Sequence, residues 1–325
     1  TRLEGTASIV APGKIKIATG KDKGDYQAEK IMIATGSHPS SLPGITIDES
    51  RIVSSTGALS LETLPKKLSV IGAGYIGLEL GTVWARLGAE VEVIEYLPRI
   101  LPGMDSEVAK KFMAIAQKQG LKFRLSTAVK SAKPRKNGVT LTVIPAEGGA
   151  EETVRADFAL VSVGRHPATD GLGLDKLGVT MTPRGRIAVD GRFETSIEDI
   201  YAIGDVVDGP MLAHKAEEDA VAAVEIMAGK AGHVDYDQVP GIVYTAPEIA
   251  TLGKSEDKLK DTGIDYARGV FPFSANSRAR AQGHTDGFVK ILACAKTDKV
   301  LGCLLYTSDA ADEGLGVDLG GRRII

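Results

Sequence analysis

Three glycines and one acidic residue near the middle of the chain have the types and spacing of a dinucleotide-binding site. Residues 68–77 read LSVIGAGYIG, so an apolar run ends in Gly72, Gly74 and Gly77. In such a motif the first glycine permits a tight strand-to-helix turn, the second lets the backbone approach a pyrophosphate, and the third lets the helix pack on the strand. The helix N-terminus then offers unpaired N–H groups to the phosphates.

Glu95 indicates which dinucleotide this site would bind. It follows Gly72 by 23 residues and closes a second apolar strand, which is where such motifs place the acid that binds a ribose. A carboxylate accepts hydrogen bonds from the ribose 2′-OH and repels a 2′-phosphate, so NAD is favoured over NADP. The alternative is an ordinary βαβ crossover that binds no ligand.

A second candidate site depends on Asp205, which follows the apolar strand IYAIG at 200–204. A carboxylate at a strand end can accept hydrogen bonds from sugar-like hydroxyls, such as those of a flavin ribityl chain, although the same residue could simply cap a helix or turn. The segment MLAH at 211–214 opens a predicted helix. The N–H groups there could stabilise the negative charge of a reduced flavin.

The elements that must position these residues follow from periodicity. Apolar residues at 76, 80, 83 and 87 predict a helix over 75–87, followed after Gly88 by a strand over 90–94. Apolar pieces at 7–10, 14–17 and 30–33 predict an antiparallel meander that leads into the strand end ATGS at 34–37. Further strands are predicted at 139–143 and 158–163, and a helix over 213–228.

The pattern changes after Val239. A helix near 255–262 and strands around 268–273 and 287–293 predict a separate α+β domain.

Composition limits the classes of function. The chain has 325 residues, 43% of them hydrophobic and 25% charged, which is enough for two or three domains with their own cores. A net charge of −3 without a long basic run argues against a nucleic-acid surface, and no apolar stretch approaches the ~20 residues of a membrane span. Cys294 and Cys303 are too far apart for a short pair such as CxxC, so we expect ordinary thiols in a reducing compartment.

Seven segments together resemble the dihydrolipoamide dehydrogenase family of FAD-dependent pyridine nucleotide-disulfide oxidoreductases. They are TGS at 35–37, PGITIDE at 43–49, IVSSTGALSL at 52–61, VIGAGYIGLELG at 70–81, IYAIGDVV at 200–207, GPMLAHKAE at 209–217 and FSANSRA at 273–279. The resemblance extends from residue 1 to about residue 302, and this combination is far more specific than the glycine motif alone.

The resemblance implies an α/β fold with two interleaved Rossmann-like three-layer nucleotide-binding domains and an incomplete α+β dimerisation domain. Residues 1–47 would be the remainder of the FAD-binding domain, with its meander and ATGS strand, and 168–238 its returning segment. Residues 48–167 would form the NAD-binding domain and 239–302 part of the dimerisation domain.

The resemblance also implies the residues of both cofactor sites. Those expected to bind FAD are Ala7, Thr35, Gly36, Ser37, Asp205, Met211, Leu212, Ala213 and His214. Those expected to bind NAD are Gly72, Ala73, Gly74, Tyr75, Ile76, Gly77, Glu79, Glu95, Val129 and Gly164. Glu79 would lie near the nicotinamide, unless it is a solvated helix carboxylate. Ala7 stands where the family commonly has glycine.

The implied activity is oxidation of dihydrolipoyl groups through a redox disulfide and FAD, with reduction of NAD⁺. The implied partners are a lipoyl domain of a 2-oxoacid dehydrogenase or glycine-cleavage complex and a second copy of the chain, in a bacterial cytoplasm or a mitochondrial matrix. Two alternatives stay open. One is another flavoprotein disulfide reductase, similar to mercuric or glutathione reductase, and the other is a module that only binds NAD.

Several parts of the family's machinery are expected outside this chain. The redox cysteine pair and the first FAD-binding glycine loop would precede Thr1, and the catalytic His-Glu pair would follow the last matching residue. We therefore assign no catalytic disulfide or His-Glu pair here, and we expect the fragment to be inactive.

Residues 303–325 depart from the family pattern. They resemble an in-frame translation of a sequencing-library adapter, which predicts that they have no native role and pack poorly. The alternative is a naturally divergent tail.

Overall fold

The computed structural model describes residues 1–307 and divides into two compact units. The first unit consists of Thr1–His38 and Arg165–Val239, and the second consists of Pro39–Gly164 and the described residues from Pro240 onward. Each unit is therefore built from two separated stretches of chain. The mixed parallel and antiparallel sheets confirm the predicted α/β class. None of the described helices has the length and apolarity needed to cross a membrane.

The secondary structure of the described residues is as follows. The strands are β1 Ala7–Ala11, β2 Lys14–Ile17, β3 Gly24–Gln27, β4 Ile31–Ile33, β5 Ser37–Pro39, β6 Ile52–Val53, β7 Lys67–Ile71, β8 Glu90–Ile94, β9 Lys122–Arg124, β10 Thr127–Arg135, β11 Gly138–Pro145, β12 Glu152–Ala156, β13 Phe158–Val161, β14 Arg165–Pro167, β15 Ile200–Ala202, β16 Gly241–Val243, β17 Glu248–Gly253, β18 Tyr266–Pro272, β19 Phe288–Cys294 and β20 Val300–Thr307. The helices are α1 Ser55–Ala58, α2 Tyr75–Arg86, α3 Ser106–Lys118, α4 Leu174–Leu177, α5 Ala213–Met227, α6 Glu256–Asp261 and α7 Ser277–Gln282.

The first unit contains the predicted meander, but with a different third strand. β1, β2 and β3 pair in that order, with Lys14 opposite Gln27. The predicted third strand at 30–33 instead becomes β4 and pairs in parallel with β15, Ile31 opposite Ile200. The prediction was wrong because β3 reads GDYQ and has no apolar run to mark it, whereas Ile31 and Ile33 are buried in a core with Ile200.

The second unit is organised by a five-stranded parallel sheet in the order β6-β13-β7-β8-β9. The predicted helix and strand after the glycines are confirmed as α2 and β8, although α2 ends at Arg86 and Leu87 is its C-cap. Val70, Leu78 and Phe112 are fully buried in the core beside the sheet. The same core contains Val243 and Leu304, so the C-terminal elements complete the hydrophobic interior of this unit.

The C-terminal sheet has the order β16-β17-β20-β19-β18 and extends past residue 302. β20 lies between two antiparallel neighbours, with Cys303 opposite both Leu252 and Ile291, and Leu304 is 2% exposed. The expectation of poor packing from residue 303 was therefore wrong for 303–304, and the backbone is paired on both edges as far as Tyr306. For 308–325 the adapter prediction lies outside the described residues.

A buried charge cluster joins three parts of the second unit. The Lys290 ammonium lies 2.9 Å from Asp105 Oδ2, 2.5 Å from Glu256 Oε2 and 3.3 Å from Glu107 Oε2. The Lys290 side chain is 1% exposed, and Arg268 adds a second cation beside Glu107 and Glu256. Because Asp105 is also the N-cap of α3 and accepts the Glu256 N–H, the cluster links α3 to α6 and β19.

The pKa of Glu256 makes this cluster sensitive to acid. Burial alone would raise the pKa of Glu256, but hydrogen bonds from Lys290, Tyr266 and Lys260 lower this pKa to about 2. A carboxyl group with a lowered folded-state pKa stabilises the fold above its unfolded pKa, and this contribution is lost as pH falls through the folded value. We expect the free energy of unfolding to fall between about pH 4.5 and pH 2, and to fall less in Glu256→Gln. Urea unfolding at each pH measures how the free energy of unfolding depends on pH in the wild type and in Glu256→Gln. An equal dependence in the two proteins would contradict this expectation.

Candidate functional site: two nucleotide-binding surfaces

The glycine motif of the second unit forms a turn in which two glycines are packed and one is open. Gly72 has φ +101°, and a Cβ there would lie 2.5 Å from the Ser162 carbonyl oxygen. A Cβ on Gly77 would lie 2.2 Å from the Gly72 oxygen and 2.6 Å from Ser162 Oγ. By contrast, no described atom lies within 4 Å of a Cβ built on Gly74. Backbone packing therefore requires the outer two glycines, while the middle one leaves space for a ligand.

The turn lies where the strand order of the parallel sheet reverses. On one side β7 pairs with β8, the next strand in sequence, and on the other side it pairs with β13, which comes much later in the chain. Gly72, Glu95 and Gly164 follow the carboxyl ends of these three strands and so share one sheet edge. Such a switch point opens a crevice in which α/β proteins bind nucleotides.

The N-terminus of α2 faces this crevice with unpaired backbone donors. The helix begins at Tyr75 after the N-cap Gly74, and among the described residues no side chain caps it and no acid occupies its first turn. The first N–H groups of a helix have no intrahelical partner and stabilise bound anions. This end of α2 therefore fits the pyrophosphate of a dinucleotide.

Glu95 connects the sheet edge to the glycine turn. Its Oε2 accepts the Ala73 N–H at 2.7 Å and its Oε1 accepts the Leu97 N–H at 2.8 Å, and the residue is 8% exposed. Each carboxylate oxygen has two lone pairs, so both can accept a further hydrogen bond from a ribose hydroxyl. The chemistry of this donor and acceptor set therefore fits NAD.

Three further residues predicted for NAD lie on α2 and β10. Glu79 is half-buried on α2, where its Oε1 accepts the Tyr244 N–H at 2.9 Å. Burial raises the pKa of Glu79 and the Tyr244 hydrogen bond partly offsets it, while burial and the nearby Glu79 raise the pKa of Tyr75. Ile76 is half-buried in the first turn of α2, and Val129 lies in β10 opposite Val143.

In the first unit, Ser37 and Asp205 meet although 168 positions separate them in sequence. Ser37 Oγ donates to Asp205 Oδ2 at 2.5 Å. Arg165 fixes the serine, since its Nε donates to Ser37 Oγ and its Nη2 to the Ser37 carbonyl oxygen, both at 2.7 Å. Thr35 Oγ1 donates to the Ala168 carbonyl oxygen at 2.6 Å. Sequence reasoning predicted the strand at 158–163 but missed the role of Arg165, which follows it.

The remaining predicted flavin residues lie at turns and helix ends of the same unit. Asp205 is half-buried in the 3₁₀ turn Gly204–Val206, and α5 begins at Ala213 after Leu212, with no described side chain capping it and no acid in its first turn. Gly36 has φ +74° and open space around it, while Ala7 opens β1 opposite Ile17. The Asp205 carboxylate could accept hydrogen bonds from the hydroxyls of a ribityl chain, and the N-terminus of α5 could stabilise negative charge on a reduced flavin ring. The two features together therefore fit FAD.

Comparison with known families and proteins supports both predicted cofactors. Residues 1–220 match the family model of the pyridine nucleotide-disulphide oxidoreductases, and 239–315 match the dimerisation domain of that family. The second match extends past residue 302, where we expected the resemblance to end. FAD and NAD, the two cofactors predicted from the sequence, are the cofactors of this family.

The similar curated proteins include mitochondrial dihydrolipoyl dehydrogenase of Pisum sativum, 53% identical over 96% of this chain and 62% of that protein. Leghemoglobin reductase of Glycine max is 52% identical over 96% of this chain and 60% of that protein. Human mitochondrial dihydrolipoyl dehydrogenase is 52% identical over 92% of this chain and 60% of its own length.

Solved structures agree with this relationship. LpdA from Mycobacterium tuberculosis superposes with a TM-score of 0.87 at 26% identity, covering 96% of this chain and 69% of that one. The HOCl-induced flavoprotein disulfide reductase RclA from Escherichia coli gives 0.85 at 27% identity, covering 96% and 71%. The chain spans about six-tenths of the length of the curated relatives it matches. It belongs to the pyridine nucleotide-disulphide oxidoreductase family.

Proposed function

We propose that this chain is part of an NAD-dependent dihydrolipoyl dehydrogenase, which oxidises dihydrolipoyl groups through a redox disulfide and FAD and reduces NAD⁺. The observation that carries the proposal is that one chain supplies both an NAD-type glycine turn closed by Glu95 and a separate Ser37–Asp205 pair. Sequence identity of 52–54% to several dihydrolipoyl dehydrogenases supports the same activity.

Each surface has a distinct role in this proposal. In the second unit, the open space at Gly74 admits the pyrophosphate, Glu95 binds the adenosine ribose, and Val129 and Gly164 line the groove. Glu79 lies on α2 beyond the glycines, on the nicotinamide side. In the first unit, Asp205 accepts hydrogen bonds from ribityl hydroxyls, and the Met211–His214 segment stabilises negative charge on the ring. The bound flavin would supply two-electron transfer between disulfide and nicotinamide.

The domain boundaries and partners are part of the proposal. We infer that 1–47 and 168–238 form the FAD-binding domain, 48–167 the NAD-binding domain and 239–302 part of the dimerisation domain. The whole protein would act as a homodimer on a lipoyl domain of a 2-oxoacid dehydrogenase or glycine-cleavage complex. Mitochondrial relatives favour the mitochondrial matrix, and a bacterial cytoplasm is the alternative.

An assay of the intact gene product tests this function. We expect the whole protein to reduce NAD⁺ with dihydrolipoamide, and to reduce NADP⁺ far more slowly because Glu95 repels a 2′-phosphate. The chain as given should bind NADH, measured by quenching of nucleotide fluorescence, without lipoamide turnover. An intact enzyme that turns over oxidised glutathione or Hg(II) but not lipoamide would instead identify another disulfide reductase. Lipoamide turnover by the present chain would contradict the expectation that essential parts lie outside it.

A further inference from the structure

A buried ion pair lies directly beneath the turn that carries Asp205. Lys215 and Asp219 occupy positions one turn apart on α5, and Lys215 Nζ lies 2.7 Å from Asp219 Oδ2. Both side chains are completely buried in the first unit. Taking two charges out of water is costly, and the cost is offset only when further hydrogen bonds satisfy the remaining donors and acceptors. The partners that satisfy this pair therefore indicate its role.

Both members of the pair hold the backbone of a single residue, Gly204. Lys215 Nζ donates to the Gly204 carbonyl oxygen at 3.0 Å, and the Gly204 N–H donates to Asp219 Oδ2 at 3.0 Å. Gly204 has φ +72°, in the left-handed region, and a Cβ there would lie 3.1 Å from Ala216 Cβ. The peptide groups on both sides of this glycine are thus fixed from α5. The next residue in the chain is Asp205.

Tyr236 closes the cluster from the last stretch of the first unit. Its hydroxyl donates to Asp219 Oδ1 at 2.9 Å, and Lys215 Nζ lies 4.9 Å from the centre of its ring. Burial and the neighbouring Asp219 hold the pKa of Tyr236 far above its ordinary value, so its hydroxyl remains a donor at physiological pH. A Cβ on Gly209 would lie 2.9 Å from both Lys215 Cε and Tyr236 Cε2, so the loop after Asp205 packs closely on the cluster.

We propose that Lys215, Asp219 and Tyr236 are positioning residues that hold Asp205 in place to bind the ribityl hydroxyls of the flavin. The cluster fixes the Gly204–Val206 turn to α5, whose own N-terminus faces the flavin in the proposed function. The Lys215–Asp219 ion pair then sets the distance between the Asp205 carboxylate and the N-terminus of α5. This inference rests on the proposed flavin site, because only that site gives Asp205 a ligand.

Hydrogen exchange measures the positioning itself without any flavin. In the chain as given, mass spectrometry of a peptide covering 200–207 reports protection of the Gly204 amide. We expect exchange at this peptide to be about tenfold faster in Tyr236→Phe, which loses one hydrogen bond to a charged group, and faster still in Lys215→Met. Val224→Ala is the matched control, because it shortens an exposed side chain of the same helix α5 and leaves Lys215, Asp219 and Tyr236 in place.

FAD titration of the same variants, made in the intact gene product, measures the consequence. We expect the Kd for FAD, followed by quenching of flavin fluorescence, to rise about tenfold in Tyr236→Phe and to change little in Val224→Ala. Asp205→Asn should weaken FAD binding without accelerating exchange at 200–207, because it removes the ligand-binding charge and leaves the turn in place.

The outcomes separate this inference from the proposed function. Unchanged exchange in both Tyr236→Phe and Lys215→Met, with native circular dichroism, would overturn the positioning role. Faster exchange with an unchanged FAD Kd would overturn its connection to the flavin. An intact wild-type protein that binds no FAD would contradict the proposed flavin site, whereas faster exchange in the variants would still show that the cluster positions Asp205.

Discussion

Replacing Gly74 by alanine should weaken NADH binding strongly while leaving the second unit folded. A Cβ at this position meets no described atom within 4 Å, and the residue has an ordinary φ of −78°. Alanine is a poorer N-cap than glycine but reduces the entropy of the unfolded chain, so the two effects oppose each other and stability should change by less than about 1 kcal/mol. The methyl group occupies the space a pyrophosphate would use, and we expect the NADH Kd to rise about 100-fold.

Gly77→Ala, unlike Gly74→Ala, should act mainly by destabilising the fold. Its Cβ would overlap the Gly72 carbonyl oxygen at 2.2 Å, and two backbone segments cannot separate without breaking the turn. We expect the free energy of unfolding to fall by about 3 kcal/mol. Trp84, the only tryptophan in the sequence, lies on α2 in the second unit, so its fluorescence during urea unfolding reports this change.

Gly269→Ala is the matched control for Gly74→Ala, because Gly269 lies in the second unit outside the glycine turn and a Cβ there also meets no described atom within 4 Å. It should change neither NADH affinity nor the unfolding midpoint. NADH binding by Gly74→Ala with unchanged affinity would show that the dinucleotide does not approach the chain at this turn.

The glycine turn was predictable because its signals are local. Gly72, Gly74 and Gly77 lie within six positions, α2 and β8 follow directly, and both elements were predicted to within one residue. A strand, a turn and a helix that are adjacent in sequence depend mainly on short-range periodicity and backbone freedom. Glu95 follows from the same short-range pattern.

The contacts that join distant segments could not be predicted from local patterns. β4 pairs with β15 rather than with the meander, and Arg165 reaches Ser37 across 128 positions. The sequence predicted the helix that carries Lys215 but not that this side chain is completely buried, with its ammonium near the Gly204 carbonyl oxygen and the Tyr236 ring. Whether a charge is solvated or buried depends on which remote segments cover it, and the periodicity of its own helix carries no such information.

Lys290→Met should produce the largest loss of stability in the second unit. The ammonium is 1% exposed and contacts Asp105, Glu107 and Glu256, so its removal leaves three carboxylates close together around an apolar side chain. Removing one partner of a buried ion pair costs about 3–5 kcal/mol, because the remaining charge is left buried without compensation. Hydrogen bonds to Glu256 and Asp105 raise the pKa of Lys290 despite its burial, so the wild-type cation is present throughout the neutral pH range.

Two comparison variants show whether this loss comes from the buried cluster. Lys130→Met removes a surface lysine paired with Glu151 at 2.9 Å, with both side chains more than half exposed, and should cost less than about 1 kcal/mol. Adding Glu256→Gln to Lys290→Met should restore part of the stability, because it removes one of the three negative charges left close together. Urea unfolding followed by Trp84 fluorescence measures all three variants. If Lys290→Met costs no more than Lys130→Met, the three carboxylates are solvated or protonated, and α3, α6 and β19 are held together by their apolar contacts alone.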